Sequence, residues 1–293
     1  MLSEALLCFG ASSTSIEELG RTEHLDKEIF ISSIFTGDQD LDRCISKAAD
    51  SIGLDDVPPF EITTGEDCDW VKNSQEMFHP VNVTDDIWTI PAWRTPPNIH
   101  ATNIILNPGL AFGTGEHPTT KLCLLLLHGL VKGGEKFLDY GTGSGVLSIA
   151  ALKLGAALSV GVDIDPQAIT SARQNAALND IQPDKMHLYL GSRMVSLHSP
   201  DGHMVDDARE HKEIYNEKEK FDIVIANILL NPLIELADHI ADYAKPGGVI
   251  GISGILSEQV SQIEECYSKY VDNIIVSHMD GWACVKAIKK VQM

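Results

Sequence analysis

The chain has 293 residues, 44% of them hydrophobic, enough for one large or two ordinary domains. Against 42 Asp and Glu it sets 22 Lys and Arg, a formal net charge of −20, which argues against a generic nucleic-acid binder and suits a basic partner. Its six cysteines include no C-x-x-C pair, and no apolar run nears the roughly 20 residues of a membrane span, so no zinc site, disulfide framework or membrane contact is expected.

The opening "MLSEALLCFGA" lacks the basic start of a signal or transit peptide and reads as an amphipathic helix ending at Gly10. "STSIEE" and "EIFISSIF" have β-branched, strand-like patterns. "DLDRCISKAADSIG" is helical up to Gly53, and "PFEITTGE" is expected as another strand. The order α-β-β-α-β suits a small α+β unit over residues 1–66. A ferredoxin-like fold would open with one more strand, and none precedes Leu2, so the unit reads as ferredoxin-like and incomplete. "DWVKNSQEMFHPV" predicts a linker helix, with the linker placed at 67–85.

From residue 119 the pattern changes. Helix to about Val131, strand "KFLDY", helix "VLSIAALKLG", strand "LSVGVDI", helix "PQAITSARQNAALN", strands "MHLYLG" and "FDIVIAN", helix "LIELADHIADYA", strand "VIGISGI" and helix "SEQVSQIEECYSKY" follow in turn. Strands alternating with helices predict a parallel, doubly wound sheet, here assigned to 86–293. "NIIVSHMD" and "WACVKAIKK" close it as a strand pair turning at Asp280-Gly281. The polar stretch 198–220 reads as a surface insertion, and its irregularly spaced histidines do not suggest a metal.

"FLDYGTGSGVLSIAALKLGA" is strand, glycine turn, helix. Gly141, Gly143 and Gly145 let the backbone turn tightly and let a ligand approach without Cβ clashes. Asp163 ends the next strand, where an acidic side chain can accept hydrogen bonds from both ribose hydroxyls of a nucleoside. A dinucleotide fingerprint G-x-G-x-x-G counted from Gly141 would need glycine where Val146 stands. The run is instead D-x-G-x-G-x-G, the version S-adenosyl-L-methionine enzymes use, with Asp139 placed to meet the ammonium of the methionine moiety. Asn227 ends a further strand at the same edge, either facing cofactor and acceptor or capping the helix that follows.

With "NPGLAFGTGEHPTTKLCL" at 107–124, "GVDIDPQAI", "ANILLNPLIELA" and "KPGGVIGISGIL" in order, the sequence resembles the bacterial-type ribosomal protein methyltransferases called PrmA over nearly its whole length. The resemblance implies an N-terminal substrate-recognition domain, a linker and a seven-stranded, Rossmann-like class I methyltransferase domain. It implies cofactor contacts at Thr120, Gly141, Asp163 and Asn227. It implies trimethylation of the N-terminal α-amine and lysine ε-amines of large-subunit ribosomal protein eleven, a basic partner. A bacterial member would work in the cytoplasm, a eukaryotic one in chloroplast or mitochondrion. Beside these positions, Phe112 is expected to cover the methyl donor or face a cationic amine, and His117 to relay a proton or bond within its loop. Other readings of the same residues are a methyltransferase for another protein or a small-molecule amine, or a non-catalytic ribosome-assembly factor.

Overall fold

The computed structural model describes residues 2–19, 28–35, 40–54, 56–62, 78–108, 113, 115–191 and 218–291. By its internal contacts the chain divides into Met1–Asp67 and Cys68–Met293.

In the first unit Leu2–Cys8 (α1), Ala11–Leu19 (β1), Glu28–Phe35 (β2) and Leu41–Ser51 (α2) follow in order. β1 and β2 pair antiparallel, with Ile16 opposite Ile31. Alternation along β2 turns Ile31 and Phe35 to one face, where they pack on Ala5, Leu6 and Ala48 of the two helices. Asp40 starts α2, its carboxylate accepting from the Arg43 N–H at 3.2 Å. The strand expected from Pro59 is absent over 59–62, where the chain is irregular and Phe60 and Ile62 stand exposed. Pro58 and Pro59 remove two backbone donors at its start. Residues 63–66 of that expectation lie outside the described residues.

The second unit opens with Val81–Thr84 (β3), Ile87–Pro91 (β4) and Thr102–Leu106 (β5), a three-stranded sheet in that order. The linker helix expected within 67–85 therefore does not reach its end: Val81–Thr84 is a strand, hairpinned onto β4 through Asp85-Asp86. β-branched Val81, Val83 and Thr84 favour that extended backbone. Residues 67–77 lie outside the described residues.

Pro118–Leu130 (α3), Lys136–Tyr140 (β6), Val146–Leu154 (α4), Leu158–Asp163 (β7), Pro166–Leu178 (α5), Met186–Leu190 (β8) and Phe221–Asn227 (β9) come next. Leu230–Glu235 (α6), Ala237–Tyr243 (α7), Ala244–Leu256 (β10), Val260–Tyr267 (α8), Val271–Met279 (β11) and Trp282–Lys289 (β12) complete it. The described strands form a seven-stranded sheet in the order β8-β7-β6-β9-β10-β12-β11. The first five are parallel and β12 runs antiparallel to both its neighbours. Helix-borne apolar clusters cover both faces, which is why the central strands carry unbroken apolar runs such as Ile223 to Ala226. Asp280 and Gly281, both at positive φ, make the tight turn joining β11 to β12.

The chain leaves β6 toward β7 and β8 on one side, and returns at β9 to build the other. Strand order reverses between β6 and β9, so a crevice opens beyond their carboxyl ends. Most of the polar insertion at 198–220 lies outside the described residues, which resume at Lys218.

Candidate active site

β6 delivers the glycine turn to that crevice. Gly141 has φ 81°, and a side-chain carbon there would run into Cγ2 of Ile228. Both the Gly141 and Thr142 N–H groups donate to the Val162 carbonyl, at 2.8 and 2.9 Å, which bends the turn over the end of β7. There Asp163 receives it: Oδ2 accepts from the Gly143 N–H at 2.8 Å, and Oδ1 from the Asp165 N–H at 3.1 Å. Each oxygen keeps a second lone pair for another donor.

Gly145 is the first residue of α4's cap and has no side chain to satisfy the helix's free N–H groups. Asp139 does so from the neighbouring strand. Its Oδ2 accepts from the Ser148 N–H at 3.1 Å, the Ser148 hydroxyl at 2.9 Å and the Thr142 hydroxyl at 2.8 Å. A negative group at a helix N-terminus is also favoured by the helix dipole. Asp139 is wholly buried, and Oδ1 has no hydrogen-bond partner among the described residues.

Burial pushes the Asp139 carboxyl up to about 6, against the pull of its three hydroxyl and amide donors. A carboxyl raised in the folded state stabilises the fold when protonated, below its unfolded value of about 3.9, and that stability is lost as pH climbs through 6. The loss is on the order of 3 kcal/mol. Asp139→Asn keeps an acceptor for the same three donors and carries no charge. The stability of Asp139→Asn relative to wild type should therefore rise between pH 4 and pH 7, in urea titrations across that range. Parallel curves for the two proteins would refute the raised value.

Across the crevice β9 ends at Asn227, which pairs with Ser253 of β10. The alternative that Asn227 caps the next helix is not what is seen: α6 is capped by Leu229, with no side-chain bond. Asn227 Oδ1 is buried without a partner among the described residues. The next residue, Ile228, is held between two glycines. Its side chain lies over Gly141, and its backbone lies against Gly254 of β10.

Of the stretch 107–117, Gly113 and Gly115 are among the described residues. Ser144, inside the glycine turn, donates its hydroxyl to the Gly113 carbonyl at 2.6 Å, and Gly115 lies against the side chain of Thr89. His117 caps α3. Its Nδ1 accepts from the Thr119 N–H at 3.3 Å and sits 2.7 Å from the Thr119 hydroxyl. Its ring meets Trp282 edge-on at 4.5 Å, and burial lowers its pKa. A capping role thus accounts for the histidine. Thr120, in the first turn of α3, is wholly buried, and its hydroxyl has no partner among the described residues. Phe112 lies outside the described residues.

The turn, Asp139, Asp163 and Asn227 therefore gather at one edge of the sheet. Two buried polar oxygens there, from β6 and β9, lack partners among the described residues, as does the Thr120 hydroxyl in the first turn of α3. A polar ligand that brings donors would satisfy them, and the glycine turn leaves room for its backbone approach. The site fits a nucleoside with a charged amino-acid arm. Reasoning from sequence missed Ser144, Asn175, Ile228 and Gly254. Asn175 and Asn179 could have been found, because they fall on the same helical face as Ala168, Ala172 and Ala176.

A seven-stranded, doubly wound sheet with an antiparallel β12, a glycine turn at its switch point and an acid closing the second strand is the fold of the class I methyltransferases. Within that class, the chain belongs to the ribosomal protein L11 methyltransferase (PrmA) family, whose description matches residues 1–290. It is similar to ribosomal protein L11 methyltransferases of Burkholderia vietnamiensis and Burkholderia multivorans. Each is 36% identical over 305 residues, covering 99% of this chain and 93% of the relative. A crystal structure of ribosomal protein L11 methylase from Lactobacillus delbrueckii subsp. bulgaricus superposes with a TM-score of 0.60. It is 28% identical, covering 73% of this chain and 100% of that one.

Proposed function

We propose that this chain is an S-adenosyl-L-methionine-dependent N-methyltransferase that trimethylates the N-terminal α-amine and lysine ε-amines of large-subunit ribosomal protein eleven. The observation that carries the reading is the gathering of Asp163, the glycine turn and Asn227 at one switch point, in a chain matching the family over 1–290. Residues 1–66 are assigned to substrate recognition, and the net charge of −20 suits a basic protein.

The bound cofactor supplies an electrophilic methyl on a sulfonium. Asp163 would accept from the ribose hydroxyls, Gly141, Gly143 and Gly145 would admit the cofactor close to the backbone, and Oδ1 of Asp139 would accept from its ammonium arm. Thr120 would bond it from α3. The attacking nitrogen must be neutral, and an amine with an unperturbed pKa of about 8 to 10.4 needs desolvation to lose its proton. Asn227 orients it through Oδ1, which can accept an amine N–H and cannot act as a strong base. Transfer would exchange the S–C bond for an N–C bond, with the amine's proton going to solvent. Most of the acceleration then comes from alignment. The capping bonds of His117 leave it no need to serve as the base.

The deciding test is incubation of the purified protein with unmethylated protein eleven and labelled cofactor, read by mass. Increments of up to three methyls on the N-terminus and on lysines are expected; cofactor binding without any mass shift would sink the substrate assignment. Asn227→Ala should slow transfer about a hundredfold while leaving affinity for S-adenosylhomocysteine within about fivefold, since it removes an alignment contact made mainly in the transition state. Equal loss of rate and affinity would overturn the role given to Asn227.

A further inference from the structure

α5 carries a buried asparagine, Asn175, and a second, Asn179, caps its C-terminus one turn on; they do different work. Asn179 treats β5 as a neighbouring strand would. Its Oδ1 accepts from the Ile105 N–H at 2.9 Å, and its Nδ2 donates to the Ile105 carbonyl at 2.6 Å. Asn175 continues the same pairing two residues further on, its Oδ1 accepting from the Asn107 N–H at 2.8 Å. The spacing fits: four helical residues rise about 6 Å, and two strand residues about 6.6 Å. Asn179 also donates to the Asn175 carbonyl at 2.8 Å, which ties the two together.

Asn175 differs in its second bond. Its Nδ2 donates to the Ser144 carbonyl at 2.8 Å, inside the glycine turn. Ser144 in turn donates its hydroxyl to the Gly113 carbonyl at 2.6 Å. Both residues are buried, Asn175 completely, so neither set of bonds competes with bulk water. One residue of the turn is thus bonded, through its carbonyl and its hydroxyl, to both Asn107 (by way of Asn175) and Gly113.

We infer that Asn175, acting with Ser144, is a positioning residue for methyl transfer: the pair fixes the chain at Asn107 and Gly113 to the turn that holds the donor. This rests on the reading of the glycine turn as the donor's turn. Asn179 provides an internal control, because it is equally a buried carboxamide on the same face but, among the described residues, bonds only to β5 and to its own helix. A merely structural role predicts that the two asparagines behave alike. A positioning role predicts that only Asn175 affects transfer.

The experiment compares full-length Asn175→Ala, Asn179→Ala, Ser144→Ala and Ser144→Thr. It reads melting temperature, S-adenosylhomocysteine affinity by calorimetry, single-turnover methyl transfer to protein eleven, and amide exchange over residues 103–118. Both asparagine variants should melt lower than wild type. Asn175→Ala should lose at least tenfold in transfer rate with donor affinity within threefold, whereas Asn179→Ala stays within twofold of wild type in both. Ser144→Ala should lose rate as Asn175→Ala does, and Ser144→Thr, which keeps the hydroxyl, should restore it. Equal rates for Asn175→Ala and Asn179→Ala would overturn the inference, as would full activity of Ser144→Ala. Should wild type transfer no methyl to protein eleven, the substrate reading fails and amide exchange still decides. Faster exchange near Asn107 and Gly113 in Asn175→Ala but not in Asn179→Ala supports the tie; equal exchange in the two removes it.

Discussion

Asp163→Ala should lose measurable affinity for S-adenosyl-L-methionine while remaining folded. The carboxylate occupies a fixed position because Gly143 and Asp165 each donate a backbone N–H to one of its oxygens, at 2.8 and 3.1 Å. Those two bonds consume one lone pair on each oxygen and leave one on each for a further donor. Vicinal ribose hydroxyls are the donors that suit two acceptors so spaced. Hydrogen bonds to a charged group are worth about 1.5–3 kcal/mol each, so losing both costs roughly 3–6 kcal/mol, a hundredfold to ten-thousandfold in Kd. The alanine also releases the Gly143 N–H and slackens the turn itself, which adds to the loss. Asp163→Asn separates the contributions: it keeps the shape and one acceptor, and should weaken binding by an intermediate factor. Calorimetry with S-adenosylhomocysteine, alongside a melting curve to verify folding, measures all three proteins. An Asp163→Ala protein that binds within threefold of wild type would mean that the acid holds the turn and not the ribose.

Much of this was legible in the sequence because the relevant signals are local. The alternation from "KFLDY" onward dictates a parallel sheet, since each strand buried on both faces needs a continuous apolar run and each crossover needs an amphipathic helix. The glycine turn and Asp163 are readable for the same reason: turn geometry and strand ends are set by neighbours in the chain. What was missed depends on distant partners. Val81–Thr84 becomes a strand because β4 lies beside it, and four residues before an Asp-Asp turn carry too little pattern to announce a hairpin. Pro59 to Ile62 has strand-like residues but no strand beside it among the described residues. Asn175 falls on the apolar face of its helix, but Asn107 and Ser144, which claim both ends of its amide, are distant in the chain. The helix cap that Asp139 supplies through Oδ2 depends on Ser148, nine residues on, and Oδ1 is left without a partner among the described residues.

Gly254→Ala should nearly abolish methyl transfer, although Gly254 touches neither cofactor nor acceptor in the proposed arrangement. Its φ of 86° lies in the left-handed region, and a Cβ there would overlap the carbonyl oxygen of Ile228 and sit 2.8 Å from its carbonyl carbon. The obstacle is backbone, so no rotamer change relieves it; Ile228 itself must move. Its side chain already lies over Gly141, so movement that way is blocked. Displacing Ile228 therefore presses on the cofactor turn and drags Asn227, its immediate neighbour, out of register with Ser253. A shift of about 1 Å in an aligning group costs on the order of a hundredfold in rate. The left-handed conformation alone carries a separate penalty of about 1–2 kcal/mol for any non-glycine residue. Gly247→Ala isolates that penalty, since Gly247 has φ 78° and open space where the Cβ would go. Gly247→Ala should lower the melting temperature by a few degrees and leave transfer unchanged, whereas Gly254→Ala should melt lower still and lose at least a hundredfold in rate. If the two variants transferred methyl equally well, Ile228 could not be the wedge that couples β10 to the cofactor turn and Asn227.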